Sequence, residues 1–223
     1  MKKSIVLVCI LGMVSAVFAA EKGSKRPMYA KAEVGFYDGG TIISTDYNGL
    51  LSSKVDQVFV ISGFEITPTF GIILPFTTEK EFGTLKTSVE AQIPMVFGSA
   101  VSAVSGLRGD SSATVISPGI LLIESYYFPE SNSKLLQKLS GQMGIGFSVP
   151  ISTVKGTYSM PKTTYPYGTV EESFSETGIG FKLNFIIGTQ FNITDSIAIN
   201  FDENIGFIGE FSYSTRFGAT WYF

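Results

Sequence analysis

Histidine is missing from all 223 residues, and cysteine occurs once, at Cys9. Only 16% of the residues are charged, against about 25% in an ordinary soluble domain. Beyond residue 20 no apolar run approaches the roughly 20 residues that a helix needs to cross a bilayer. Each shortage excludes something. Without histidine, no side chain with an ordinary pKa near neutrality is on hand as a general base or imidazole ligand. Without long apolar runs a polytopic helical protein is excluded, although the mean hydropathy of +0.27 would otherwise invite one. What the chain has in quantity is 24 Gly, 19 Phe and 10 Tyr, a composition suited to β structure in an apolar solvent.

The amino terminus reads as a Sec-type signal peptide. Lys2 and Lys3 precede an apolar stretch from Ile5 to Phe18, and Val17-Phe18-Ala19 places small residues before a cleavage point. Cleavage of residues 1 to 19 removes Cys9, leaving no disulfide or thiolate chemistry in the mature chain. It also takes Lys2 and Lys3 from the 16 basic residues and none of the 19 acidic ones. The resulting acidic balance lacks the basic stripe of a nucleic-acid binder.

From residue 20 the pattern alternates with period 2, as in strands whose faces meet different surroundings. Phe211, Tyr213, Thr215, Phe217, Ala219, Trp221 and Phe223 share one phase; Ser212, Ser214, Arg216, Gly218 and Thr220 share the other. Ile179, Phe181, Leu183, Phe185 and Ile187 alternate with Gly178, Gly180, Lys182, Asn184 and Gly188 in the same way. A soluble β-sandwich would show Lys, Glu and Thr on its outer face. Here the non-apolar face is rich in Gly, Ser and Asn, as in the narrow interior of a transmembrane barrel. Aromatic residues gather at segment ends (Tyr29, Tyr126, Tyr127, Phe128, Trp221, Tyr222). The predicted fold is therefore all-β, a closed antiparallel transmembrane β-barrel; a soluble periplasmic sandwich is the second alternative.

With its final strand ending Arg216-Phe-Gly-Ala-Thr-Trp-Tyr-Phe223, the chain resembles bacterial outer-membrane proteins, and its size is similar to the small OmpX/OmpW group. The resemblance implies export to the outer membrane and recognition by the barrel assembly machinery. The signal for it would be carried by Phe217, Ala219, Trp221 and Phe223.

Turn signals and phase give eight strands, approximately 29–37, 55–76, 85–104, 113–128, 138–151, 172–191, 196–204 and 210–223. Pro68 and Pro75 object to the second, because proline donates no ladder bond. A hairpin at Thr67-Pro68-Thr69 and a turn near Pro94 would instead give ten. Extracellular loops are expected near 38–54, 105–112, 152–171 and 203–209, and short turns at Asn192–Asp195 and Pro129–Ser133.

Little chemistry remains. Ser131-Asn-Ser-Lys134 and Ser152-Thr-Val-Lys155 match S-x-x-K, but both lie in expected turns or loops with no helix to present them. Gly144-Ile-Gly146 and Gly178-Ile-Gly180 lack the third glycine and the helix of a dinucleotide loop, and read as small inward residues. Asp202, Glu203 and Glu210 could collect a calcium ion or merely solvate a loop. No enzyme, cofactor or metal site is expected. Lys31, Glu33, Glu65, Lys86, Glu90, Lys182 and Arg216 face inward, where charges of both signs would form ion pairs that seal the lumen or a constriction that selects solutes.

The expected function is that of a non-enzymatic outer-membrane anchor. Its surface-exposed loops would make structural, adhesive or ligand contacts, with Tyr158, Tyr165 and Tyr167 as candidate contact groups. A narrow porin-like channel for small or apolar solutes is the alternative. The expected partners are outer-membrane lipid, the assembly machinery and an extracellular ligand or small solute. The expected state is a monomer.

Overall fold

The computed structural model describes residues 28–47, 53–80, 83–102, 111–129, 133–161, 169–208 and 211–223. The expected signal peptide lies outside them. Twelve strand segments are present: β1 (Met28–Tyr47), β2 (Ser53–Lys80), β3 (Gly83–Gln92), β4 (Met95–Ser102), β5 (Ser112–Ile116), β6 (Gly119–Tyr127), β7 (Leu139–Ser148), β8 (Ile151–Pro161), β9 (Thr169–Ile179), β10 (Lys182–Asn192), β11 (Ile197–Phe207) and β12 (Ser212–Tyr222). Four pairs of consecutive segments, from β3/β4 to β9/β10, are halves of one strand interrupted for two residues. The halves pair with the same neighbours, β3 with β6 and β4 with β5, β6 with β7 and β5 with β8. The chain is thus eight antiparallel strands, closed where β1 pairs with both β2 and β12.

Three corrections follow. The ten-strand alternative fails because β2 runs unbroken through Pro68 and Pro75; near Pro94 the strand breaks but does not turn back. The sandwich alternative fails because one sheet closes on itself with Phe, Ile and Val exposed around its outside. The expected loops at 38–54, 152–171 and 203–209 are largely strand, since β1 continues to Tyr47, β8 and β9 occupy 151–161 and 169–179 and β11 runs to Phe207; most of the loop expected at 105–112 lies outside the described residues. Of the loop tyrosines, Tyr158 lies in β8 opposite Glu172, and Tyr165 and Tyr167 fall outside the described residues.

The interruptions are aligned across the sheet. Ile93 N–H, just before Pro94, donates to the Pro68 carbonyl at 3.1 Å; Ser117 N–H donates to Pro94, Val149 N–H to Pro118 and Gly180 N–H to Pro150, each at 2.9 Å. Each proline lacks a donor, yet its carbonyl takes the N–H that precedes the break on the next strand. A proline belt thereby climbs across strands two to six without changing the phase of any.

The belt separates two environments. Below it, towards the end bearing Met28 and Phe223, the outside is apolar (Met143, Ile145, Phe147, Phe185, Ile187, Phe217) and the inside polar (Gln142, Asn184, Gln190, Asn200). Above it, Ile43, Phe59, Ile61, Val96, Ala100, Ala113, Val115 and Val154 pack into an interior apolar core. There the outer positions of β5, β8 and β9 become Ser112, Thr114, Thr153, Lys155, Ser173, Ser175 and Thr177. The hairpin of β11 and β12, with 11 residues in each strand, is the length that a tilted membrane strand needs, about 9 to 11 residues. β1 continues beyond its last β12 partner at Gly39 to Tyr47, about 26 Å further at about 3.3 Å per residue. Above the short hairpin β9 swings against β1: a Cβ on Gly178 would stand only 3.1 Å from Ile43 Cγ1 and 3.2 Å from the Ile42 carbonyl. Six strands, β1-β2-β4-β5-β8-β9, thus continue outward from a base of eight.

Candidate functional site

Inside the eight-stranded base, the register gathers the long polar side chains into one layer. Asp202 is paired opposite Arg216, Arg216 opposite Gly35, Gly35 opposite Glu65, and Glu90 opposite Gly71. Glycine beside each bulky group makes room in a narrow barrel. A Cβ on Gly35 would lie 2.1 Å from the Thr215 carbonyl and 3.0 Å from Arg216 Cγ, and one on Gly71 would lie 2.1 Å from Tyr29 Cζ.

The layer contains two cations and four carboxylates. Lys31 Nζ is 2.7 Å from Glu90 and 3.9 Å from Asp202. Arg216 Nη1 is 3.8 Å from Glu33, and its Nε is 3.8 Å from Glu65. All six side chains are at most 5% exposed, so each charge depends on partners within the protein. Neutral donors offset the surplus of carboxylates. The Tyr29 hydroxyl donates to Glu90 at 2.6 Å, Thr67 donates to Glu65 at 2.7 Å, and Asn200 donates to Glu33. Arg216 Nη1 also donates to Gln92 at 3.1 Å. Arg216 Nε and Nη2 make no hydrogen bond, so the guanidinium is held by charge more than by bond geometry. Across the lumen the wall is apolar, with Leu121, Ile123 and Ile186 buried together.

Polar layers lie on both sides of the charges. Towards the belt, Lys182 donates to Ser212 at 3.0 Å and stands over the Tyr37 ring, while Asn184 and Ser117 both donate to Ser148. Towards the opposite mouth, Gln142 donates to Gln190 at 2.7 Å, and Gln190 donates to Asn192 and Tyr222. With the apolar core above the belt, inward side chains from Tyr222 to Val154 make contacts across the lumen in successive layers.

Of the inward charges expected from the sequence, Lys31, Glu33, Glu65, Glu90 and Arg216 share the layer. Lys182 lies one layer above. Lys86 lies below, at the mouth, with its Nζ 4.7 Å from the centre of the Tyr127 ring. Asp202 belongs to the layer and cannot act with Glu203 on one ion, because the two point to opposite faces of β11; Glu210 lies outside the described residues. Among the described residues no group of acidic side chains is arranged to hold a metal ion. Ser152 points inward and Lys155 outward from β8, so that S-x-x-K motif assembles no nucleophile and base. At the carboxyl terminus Phe217 and Trp221 face outward. Ala219 pairs with Ala32, and Phe223 N–H donates to the Met28 carbonyl.

A closed sheet that is apolar outside and charged within satisfies every ladder bond in hydrocarbon while keeping charge away from lipid. The protein is an integral transmembrane β-barrel, with the eight-stranded architecture implied by the OmpX/OmpW resemblance. No family model and no curated protein matches the chain. Among solved structures it is similar to the neisserial surface protein A, at 11% identity over 91% of this chain and 100% of that one, with a TM-score of 0.46. It is also similar to the attachment invasion locus protein Ail of Yersinia pestis, at 13% identity over 87% and 98%, TM-score 0.34. For the transport unit of the autotransporter AIDA-I from Escherichia coli the values are 10% over 96% and 97%, TM-score 0.41. At such scores these likenesses bear no weight, and the class rests on the closed sheet and its apolar exterior.

Proposed function

We propose that the protein is a sealed, non-enzymatic anchor whose six-stranded extension carries hairpin tips outward from the membrane for structural, adhesive or ligand contact. One observation carries the reading: inward side chains meet across the lumen in four successive layers, three held by hydrogen bonds and ion pairs and one apolar. The polar outer positions of β5, β8 and β9 above the belt support an extension that stands in the aqueous medium. On this reading the barrel works as a monomer in outer-membrane lipid, and the assembly machinery reads the alternate apolar residues from Phe217 to Phe223. The test is single-channel recording on refolded protein in a planar bilayer. A sealed barrel gives no stepwise conductance. Reproducible steps that change on replacing Glu90 or Arg216 would overturn the sealed reading and favour the narrow channel.

A further inference from the structure

At the end carrying Phe223, beyond the Gln142–Gln190 layer, the barrel mouth and its turns form an open concavity of about 870 Å³, within the roughly 300–1,000 Å³ typical of small-molecule sites. Lys86 from β3 and Lys134 and Lys138 from the turn before β7 line it, with Tyr127 and Tyr222; among the described residues its acidic lining residue is Asp195. Among the described residues, no carboxylate is in ion-pair contact with any of the three lysines. This contrasts with the layer above, where each cation faces two carboxylates. Three like charges around one concavity give it a positive potential that favours an anion among them.

We propose that this cavity binds phosphate-bearing anions presented from the periplasmic side. Lysine ammoniums are compact point charges with rotatable donors, and three of them suit a tetrahedral oxyanion held from several sides. A planar carboxylate is instead matched by the arginine fork, and among the described residues no arginine lines this cavity. The filled bore closes the roof, so an anion that enters is held rather than passed on. The same chemistry is offered by a soluble phosphate compound and by the headgroup of an inner-leaflet phospholipid.

The test is titration calorimetry of pyrophosphate into the detergent-solubilised protein. Saturable binding is expected, weakening as salt rises from about 50 to about 200 mM. The combined variant Lys86→Gln, Lys134→Gln, Lys138→Gln should bind about tenfold more weakly or worse. Asp195→Asn should bind more tightly, and because it removes only an exposed charge, it keeps the test informative if the triple variant fails to refold. Competition by short-chain phosphatidylglycerol but not by glycerol phosphate assigns a lipid source; equal competition by both assigns a soluble one. The proposal is overturned if the folded protein shows no saturable binding, if the triple variant binds as the parent does, or if Asp195→Asn weakens binding.

Discussion

Replacing Arg216 with methionine tests whether the charged layer is held by charge balance. Two carboxylates lie 3.8 Å from the guanidinium, each attracting it by about 4 kcal/mol at an effective dielectric constant of about 20. The cost of burying the ions offsets much of this in the intact barrel. Arg216→Met keeps most of the volume but leaves Glu33 and Glu65 desolvated with no cation between them. Removing one member of a buried pair in this way costs about 3–5 kcal/mol. The variant Arg216→Met, Glu33→Gln, Glu65→Gln removes the charges together. It should return to within about 1 kcal/mol of the parent, because a neutral, well-packed set replaces the ionic one. Urea unfolding in lipid vesicles measures both, with the single tryptophan of the chain, Trp221 on the lipid face, as the fluorescent reporter. A loss below about 1 kcal/mol in Arg216→Met would refute the reasoning. So would a triple variant less stable than the single one, which would place the stability in hydrogen-bond geometry.

Two further perturbations probe the boundary at the belt. Ile145→Arg on the lipid face of β7 should cost about 2–4 kcal/mol, whereas Thr153→Arg, eight residues further along the same strand, should cost less than about 1 kcal/mol; equal costs in vesicle unfolding would place Thr153 in hydrocarbon. Phe59 is 1% exposed and stacks on Phe174 with ring centres 6.3 Å apart, so Phe59→Ala should destabilise the extension by about 3–5 kcal/mol. Hydrogen exchange should then quicken in β4, β5 and β8 while β11 and β12 keep their protection, and uniform loss of protection would show that the two parts do not unfold separately.

The membrane-spanning half of the fold was legible because its outer face is uniformly apolar and its inner face is not. Phe185 and Ile187 against Asn184 and Gly188 leave only one assignment of faces. The ends of the fourth to sixth strands were not legible, since above the belt β5, β8 and β9 turn apolar inside and polar outside. Thr153, Lys155 and Thr157 therefore look like loop. Leu121, Leu122 and Ile123 hid their faces for a related reason: Leu121 and Ile123 fill the lumen opposite the charges. The inward phase of Lys31, Glu33, Glu65, Glu90 and Arg216 could be read from alternation, but their grouping depends on register. Asp202 shows the difference. It has the phase of Asn200, yet only the ladder that sets it opposite Arg216 reveals its role.

Register also explains why the prolines are harmless. In isolation Pro68, Pro94, Pro118 and Pro150 each deprive a strand of a donor, which counts against a central position. Aligned on successive strands, each accepts the N–H that precedes the next break, so the missing donors do not propagate around the sheet. Because no phase is lost at the breaks, the same alternation continues upward while the surroundings of each face exchange. The strand of β7 and β8 is apolar on its outer side up to Ile151 and polar from Thr153 onward, and its inner side passes from Gln142 and Ser148 to Val154. Below the belt the bilayer selects apolar residues outside and charges are left to pair within. Above it the inner positions are apolar and packed together, while the outer face is polar on β5, β8 and β9 and stays apolar at Val58, Val60, Phe97 and Val101 on β2 and β4. On the strands of β5, β8 and β9 the proline belt therefore lies where the outer positions change from apolar to polar and the inner ones from polar to apolar.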